Sequence, residues 1–416
     1  MALSHALTWL VVLVATAGVI IRPWRLPEAV WAVSGAVLLV VAGLLPWRNA
    51  LQAVGRGTDV YLFLTGMMLL SEVARREGLF DWLAAFAVRR SGGSARRLFL
   101  LIYAVGTVVT AFLSNDATAV VMTPAVFAAA KRAQANPLPY LFVCAFIANA
   151  ASFLLPISNP ANLVLYGNHM PPLGLWLGHF LLPSVLSIGA TLGALLVIER
   201  RHLSGSVDAE VEQPELSRGG LAAAIGIGVT AIVLLAASAA DVQLGLPTAL
   251  AGGATAIFVL WRKREAPWET LQGISWLVLP LVAGLFVLVE GLRHTGVLTL
   301  LANRMHAEAQ HAAQATAWGA GIVIALVCNI MNNLPAGLIA SSTVTTAHLP
   351  RTVTDALLVG VDLGPNLSIT GSLATILWLT AIRREGEDVT FAAFLARGAI
   401  VMPPALLLAL AGLLAR

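Results

Sequence analysis

The stretch Phe112-Leu113-Ser114-Asn115-Asp116-Ala117-Thr118-Ala119 decides how the chain is read. It is polar and lies between two apolar runs, Leu98–Ala111 and Val120–Ala130. Neither run reaches the roughly 20 residues of a full membrane crossing. Both are flanked by cations: Arg89, Arg90, Arg96 and Arg97 before, Lys131 and Arg132 after. Lys and Arg mark the cytoplasmic side of a membrane protein, so both ends sit on that side. The spacing predicts a re-entrant hairpin over 98–130, with Asn115 and Asp116 at its tip. Irregular backbone at membrane depth survives only against protein or a watery cavity, and a carboxylate there marks a functional position.

The composition agrees. The 416 residues are 58% hydrophobic and 11% charged, which no soluble domain of this length matches. The chain reads as an all-α polytopic membrane protein. Its net charge of +4 comes from cations in short loops between apolar segments. They set orientation and do not imply nucleic-acid binding. Cys144 and Cys328 lie in apolar runs and imply no disulfide framework. Leu7–Ile21 lacks a basic leader and runs into the next span, so no separable signal peptide is expected. The tryptophans fall mostly near predicted interfaces, as anchors do, and the histidines lack metal-ligand spacing.

Two halves overlay. Gly66, Glu72, Arg75, Gly78 and Asn115 recur 218 residues later as Gly284, Glu290, Arg293, Gly296 and Asn333. Pro27 and Leu51-Gln52 recur 220 residues later as Pro247 and Leu271-Gln272. Spans are expected at Leu7–Ile21, Ala29–Leu45, Val60–Val73, Pro139–Tyr166 and Leu173–Ile198. A second set follows at Leu221–Ala239, Pro247–Trp261, Ile274–Val289, Thr352–Ile382 and Phe391–Leu414. A second hairpin over 317–346 carries Asn332-Asn333 at its tip. Five spans per half is an odd number, so the halves insert with opposite orientation, as in inverted-repeat transporters. The expected organisation is ten spans and two hairpins: a first repeat over 1–198, a cytoplasmic linker over 199–219 and a second repeat over 220–416. With the linker inside, 19 of the 25 Lys and Arg are cytoplasmic. Arg48, Arg56, Arg293, Arg304, Arg351 and Arg416 are external, and both termini are periplasmic. Leu79–Val88 and Val297–Met305 read as interfacial helices feeding the hairpins.

Two more interruptions complete the pattern. The fourth span contains Pro156-Ile157-Ser158-Asn159-Pro160-Ala161-Asn162, and the ninth contains Asp362-Leu363-Gly364-Pro365-Asn366-Leu367-Ser368 followed by Thr370-Gly371-Ser372. Neither continues a helix cleanly. Broken helices meeting near the midplane are how such carriers bind substrate. The expected lining is Ser114, Asn115, Ser158, Asn159, Asn162, Asn332, Asn333, Asn366, Ser368 and Ser372, amides and hydroxyls that both donate and accept. It suits a small neutral polyhydroxylated solute, and no Lys or Arg stands ready for an anion. Asp116 and Asp362 are the deep acids. A carboxylate removed from water without a cation resists ionisation, a property that suits reversible proton uptake. Glu72 and Glu290, each with Arg at i+3, read as structural ion pairs near span ends.

The blocks Phe112-Leu113-Ser114-Asn115-Asp116-Ala117, Ile330-Met331-Asn332-Asn333-Leu334-Pro335 and Asp362-Leu363-Gly364-Pro365-Asn366, with Gly371 to Leu379, resemble the arsenite efflux permeases. These are the arsenical pump membrane proteins of the ion transporter superfamily. The resemblance covers essentially the whole chain. It implies export of trivalent arsenic and antimony, as neutral hydroxides, across the bacterial cytoplasmic membrane in exchange for protons. It implies no cofactor, and a soluble ATPase as a partner of some members. Two cysteines cannot form a three-thiol trap, and a carrier that must release its load is better served by hydrogen bonds. Rival readings are a sodium–proton antiporter on the same scaffold, with Asp116 and Asp362 as ligands, and a dicarboxylate carrier, which the uncharged lining disfavours. An intramembrane enzyme is disfavoured because no H-E-x-x-H or paired catalytic motif occurs.

Overall fold

The computed structural model describes residues 2–167, 170–209 and 215–415. The middle of the expected linker, 210–214, and the external cation Arg416 lie outside the described residues. Among those described, every regular element is helical. The first half comprises α1 (Ala2–Ile21), α2 (Glu28–Val41), α3 (Trp47–Arg56), α4 (Thr58–Arg76), α5 (Leu79–Arg90), α6 (Ala95–Phe112), α7 (Thr123–Arg132), α8 (Leu138–Ala150), α9 (Pro160–Tyr166) and α10 (Leu173–Glu199). The second comprises α11 (Arg218–Ala239), α12 (Gly245–Lys263), α13 (Trp268–Gly273), α14 (Val278–His294), α15 (Val297–Met331), α16 (Asn333–Ala347), α17 (Arg351–Leu363), α18 (Leu373–Arg384) and α19 (Phe391–Leu414).

Six of these helices, α1, α6, α10, α11, α15 and α19, are each long and apolar enough to cross a membrane. The hairpin arms differ from expectation. The first arm, α6, has 18 residues, longer than the apolar run suggested, because Arg96 and Arg97 continue its first turn from the Ser94 cap. After the tip, a π-helical stretch over Ala117–Met122 leads into α7. The second arm begins within α15, which bends at Ala312 (φ −151°, ψ 68°) and so joins the expected interfacial helix to the hairpin. One side of α5 is buried, through Leu79, Phe80, Ala84, Ala85, Ala87 and Val88.

The local geometry of the halves recurs. Gly78 (φ 73°) and Gly296 (φ 80°) make the same left-handed turn into α5 and α15, a conformation that favours glycine. The fourth and ninth expected spans are each two helices. Both α8 and α17 have 13 residues, and α17 starts 213 residues after α8. Each is followed by irregular chain and a 3₁₀ turn, Pro156–Ser158 or Ile369–Gly371. Each then restarts from an extended capping residue: Asn159 at φ −149°, ψ 132° and Ser372 at φ −141°, ψ 146°. Pro156 and Pro160 lack the N–H that would continue the ladder, and Gly364-Pro365 interrupts the second copy.

The halves interlock through glycine. At Gly66 of α4 an added Cβ would stand 2.2 Å from the Thr248 carbonyl oxygen of α12. At its repeat partner Gly284 of α14 a Cβ would stand 2.7 Å from the Ala32 carbonyl carbon of α2. Each half thus lays its third long helix against the second helix of the other, at a separation only a bare backbone allows.

Charges separate by end. At one end lie Arg56, Glu290, Arg293 and Arg351. At the other, Lys263 pairs with Glu77 at 2.8 Å, Lys131 with Glu387 at 3.4 Å and Arg397 with Glu199 at 3.0 Å. Glu72 holds Arg75 at 2.6 Å and Glu290 lies 3.7 Å from Arg293, the structural pairs the spacing predicts. Glu290 also accepts from Arg56 of α3, a contact the i+3 pattern does not reveal.

Candidate transport site

The two broken helices meet. Asn159, capping α9, donates through Nδ2 to Asp362 Oδ1 at 2.7 Å, while its own Oδ1 accepts from the Ala161 amide at 3.0 Å. Asn149, at the end of α8, donates to Asn366 Oδ1 at 3.0 Å, and Asn366 in turn donates to the Phe146 carbonyl at 3.1 Å. Asn162 turns its amide onto the carbonyls of Ser152, Leu155 and Pro156, at 2.9, 3.4 and 3.3 Å. All five of these side chains are buried.

Backbone carbonyls and amides therefore fix which way each of these amides points. Three acceptor oxygens in the knot have no hydrogen-bond partner within the protein: Asn149 Oδ1, Asn162 Oδ1 and Asp362 Oδ2. Their residues surround Ser152, whose hydroxyl donates to the Asn149 carbonyl at 2.8 Å and lies beside Asp362, and whose carbonyl accepts from Asn162. Buried acceptors without donors are costly, so their concentration at one junction calls for a ligand that donates.

Several expected lining residues serve the backbone instead. Ser158 Oγ donates to the Ala111 carbonyl of α6 at 3.0 Å, tying the first hairpin to the first break. Ser114, Asn332 and Ser372 accept from the amides of Ala117, Leu334 and Ala374, at 3.2, 3.3 and 3.2 Å, as helix caps do. Ser368 donates to Asn329 Oδ1 at 2.7 Å. Asn115 Oδ1 accepts the neighbouring Asp116 amide at 2.9 Å. Asn333 is buried at the start of α16, and Asp116 is half-buried at the first tip. The structure joins Asn159 to Asp362 directly. It does not join Asp116 to Asp362 by any hydrogen bond among the described residues.

Sequence reasoning passed over Asn149, Ser152 and Asn329, which complete this network. A signal existed for Asn149, an amide in an otherwise apolar run, but nothing local showed that it faces Asn366, 217 residues away. Reasoning also passed over Asp355, the other acid in the ninth span. It is fully buried, accepts from the Tyr166 hydroxyl and lies 2.6 Å from His179 Nδ1.

A polar crevice of about 260 Å³ opens on the Arg56 end, between α4 and α14 on one side and α9 and α16 on the other. Arg56, Asp59, Glu290, Arg293, Ser341 and Ser342 are among its walls. Beside it a second crevice of about 550 Å³ is lined by Arg351, His348 and Asp241, and Tyr166 borders both. A larger apolar groove of about 1510 Å³, between α11, α12 and the start of α4, lies away from the breaks.

Apolar membrane-length helices, interrupted pairs that meet in the interior and a polar crevice between packed units define a multi-pass membrane transporter. A profile of the citrate transporter family matches residues 11–361, and the chain belongs to that family. It is 27% identical to an arsenical pump membrane protein of Yersinia enterocolitica over 362 residues, 84% of each chain. It is also 27% identical to one of Escherichia coli over 410 residues, 92% of each. An uncharacterised transporter of Mycobacterium tuberculosis is 28% identical, over 96% of each chain. Among solved structures, the Alcanivorax borkumensis YdaH transporter superposes with a TM-score of 0.56 at 17% identity, covering 89% of this chain and 86% of that one. That likeness speaks for the fold alone. The resemblance to arsenical pump membrane proteins, drawn above from the hairpin and break motifs, is borne out.

Proposed function

We propose that this chain exports trivalent arsenic and antimony, as neutral hydroxides, from the bacterial cytoplasm in exchange for protons. The observation that carries the reading is the knot around Ser152. It offers three acceptor oxygens in want of donors, and no Lys or Arg contributes to its hydrogen bonds. An uncharged trihydroxide brings three O–H donors and no charge, matching that deficit. A citrate or dicarboxylate ion brings acceptors only and would add to it. In this reading Ser114, Asn115, Asn159, Asn162, Asn332, Asn333, Asn366 and Ser368 shape or line the path, and Asp116 and Asp362 carry protons. Ten spans and two hairpins, in two oppositely oriented repeats, provide alternating access. The cation-rich end holding Lys263, Lys131 and Arg397 is cytoplasmic, and a soluble ATPase would dock there.

The family's description favours a second reading, transport of citrate, for which Arg56, Arg293 and Arg351 at the crevices would be the receiving cations. Everted vesicles given arsenite, antimonite, citrate or sodium side by side test both. Accumulation of antimonite and arsenite driven by the proton gradient supports export of the hydroxides. Citrate-driven proton movement without metalloid transport replaces that reading with the second. Sodium-driven proton movement alone replaces it with a sodium–proton antiporter.

A further inference from the structure

Helix α17 carries two buried carboxylates, Asp355 and Asp362, seven residues apart. Seven residues are close to two full turns, so both lie on one face, about 10 Å from each other along the axis. Antiparallel to that face runs α9, which brings one donor to each acid. Its capping residue Asn159 holds Asp362, and its last residue Tyr166, also seven positions on, holds Asp355. The two helices belong to different halves of the chain, so this two-rung ladder spans their junction.

The groups facing Asp355 are Tyr166 from α9, His179 from α10 and Arg351 from its own helix. His179 Nδ1 is 2.6 Å from Asp355 Oδ2, and Arg351 Nε is 3.7 Å from it. Tyr166 borders both crevices at the Arg56 end. This acid is therefore one hydroxyl removed from solvent, whereas Asp362 lies two turns deeper.

The repeat shows that the fold does not require a titratable pair here. In the internal register, His179 of α10 corresponds to Arg397 of α19, and Asp355 of α17 corresponds to Phe142 of α8. There the guanidinium of Arg397 lies 4.3 Å over the Phe142 ring. A cation that never loses its proton, on an aromatic face, fills that junction. Only the crevice end replaces it with two groups that exchange protons.

We propose that His179 and Asp355, reached through Tyr166, form a proton-exchange station on the crevice side, distinct from Asp116 and Asp362. The station takes up one proton from the crevice and later returns it, with no other bond made or broken. Protonated Asp355 no longer serves Tyr166 and His179 as a charged acceptor, so the end of α9 is released. The opposite end of α9 holds Asp362, and the ladder thereby links proton uptake at the mouth to the substrate knot. This role rests on the proton-coupled reading above.

Two measurements test it, the first without any substrate. Infrared difference spectra of the purified protein, recorded as the bath is acidified, follow the carbonyl band of protonated carboxyls. Asp355→Asn is expected to remove one component of that band, and His179→Gln to shift the acidity at which it appears. A spectrum of Asp355→Asn superimposable on wild type overturns the proposal, whether or not metalloids are substrates. In proteoliposomes, Asp355→Asn is expected to keep substrate–substrate counterflow while losing roughly a hundredfold of gradient-driven uptake, the scale of a positioned proton carrier. Equal loss of both would make the pair structural and also overturn it. Should Asp355→Asn fail to fold, His179→Gln and Tyr166→Phe carry the same measurements, with a shifted acid profile expected in each and unchanged profiles in both counting against it.

Discussion

Asn159 and Asp362 meet across the junction of the two halves, with the Asn159 amide donating to the carboxylate at 2.7 Å and the Asn159 carbonyl oxygen capping α9. One side chain thus performs two tasks, and they can be separated. Asn159→Ala loses both, and a hydrogen bond to a charged group together with a cap is worth about 2–4 kcal/mol of stability. Asn159→Asp keeps a capping oxygen but sets a second acid against Asp362. Chemical denaturation should show partial recovery of stability in Asn159→Asp, while gradient-driven transport stays lost in both. Wild-type transport in Asn159→Asp would mean that the contact does not matter to function.

Asp116 at the first hairpin tip receives no side-chain donor among the bonds described, which leaves it available for protons. Asp116→Asn is expected to abolish proton-driven antimonite uptake into everted vesicles while the protein still elutes as a folded, monodisperse species. A wild-type uptake rate in this variant would remove Asp116 from the mechanism.

Asn332 and Asn333 are neighbours with different expected roles. Asn332 sits at φ 75°, ψ 153°, a conformation that suits glycine, and caps α16. A non-glycine residue there without the cap carries a strain of about 1–3 kcal/mol. Melting temperatures should therefore rank Asn332→Gly above Asn332→Ala. Asn333→Ala, and likewise Asn115→Ala, should leave the unliganded melting temperature nearly unchanged. Each should reduce the stabilisation by antimonite, with affinity falling by about two- to tenfold, the worth of one neutral hydrogen bond. Equal ligand-induced shifts in variant and wild type would make the tips purely structural.

Gly66 and Gly284 face backbone, not a side chain that could swing aside. Gly66→Leu and Gly284→Leu should each destabilise by at least about 1–3 kcal/mol, the usual scale of overpacking, and each should lower the yield of folded protein in membranes. Retained stability at either position would show that these helix crossings can open.

Arg397 holds the fully buried Glu199 at 3.0 Å while lying over Phe142. Removing it strands a carboxylate. Arg397→Ala is expected to cost about 3–5 kcal/mol, read as a lower midpoint in denaturant, and the further change Glu199→Gln should recover part of it. No recovery would place the cost in the lost ring packing.

The sequence by itself determined the membrane class, the positions of all four interruptions and the duplication. Each is written in local chemistry: hydrophobic length, Pro and Gly where a helix must stop, cations where a loop must stay inside, and a register of identical residues from Gly66 to Asn333. It also marked Asp362, Asn159 and Asn366, because a polar group in an apolar run is visible without knowing its neighbour. Only the tertiary structure decided which of these groups are spent on backbone and which face one another. Ser114, Asn332 and Ser372 became caps, Asn149 joined the knot, and Asp355 found Tyr166 and His179. Those outcomes depend on contacts between residues some 180–220 positions apart. Such contacts arise from packing one half against the other, and no local pattern of residues encodes them.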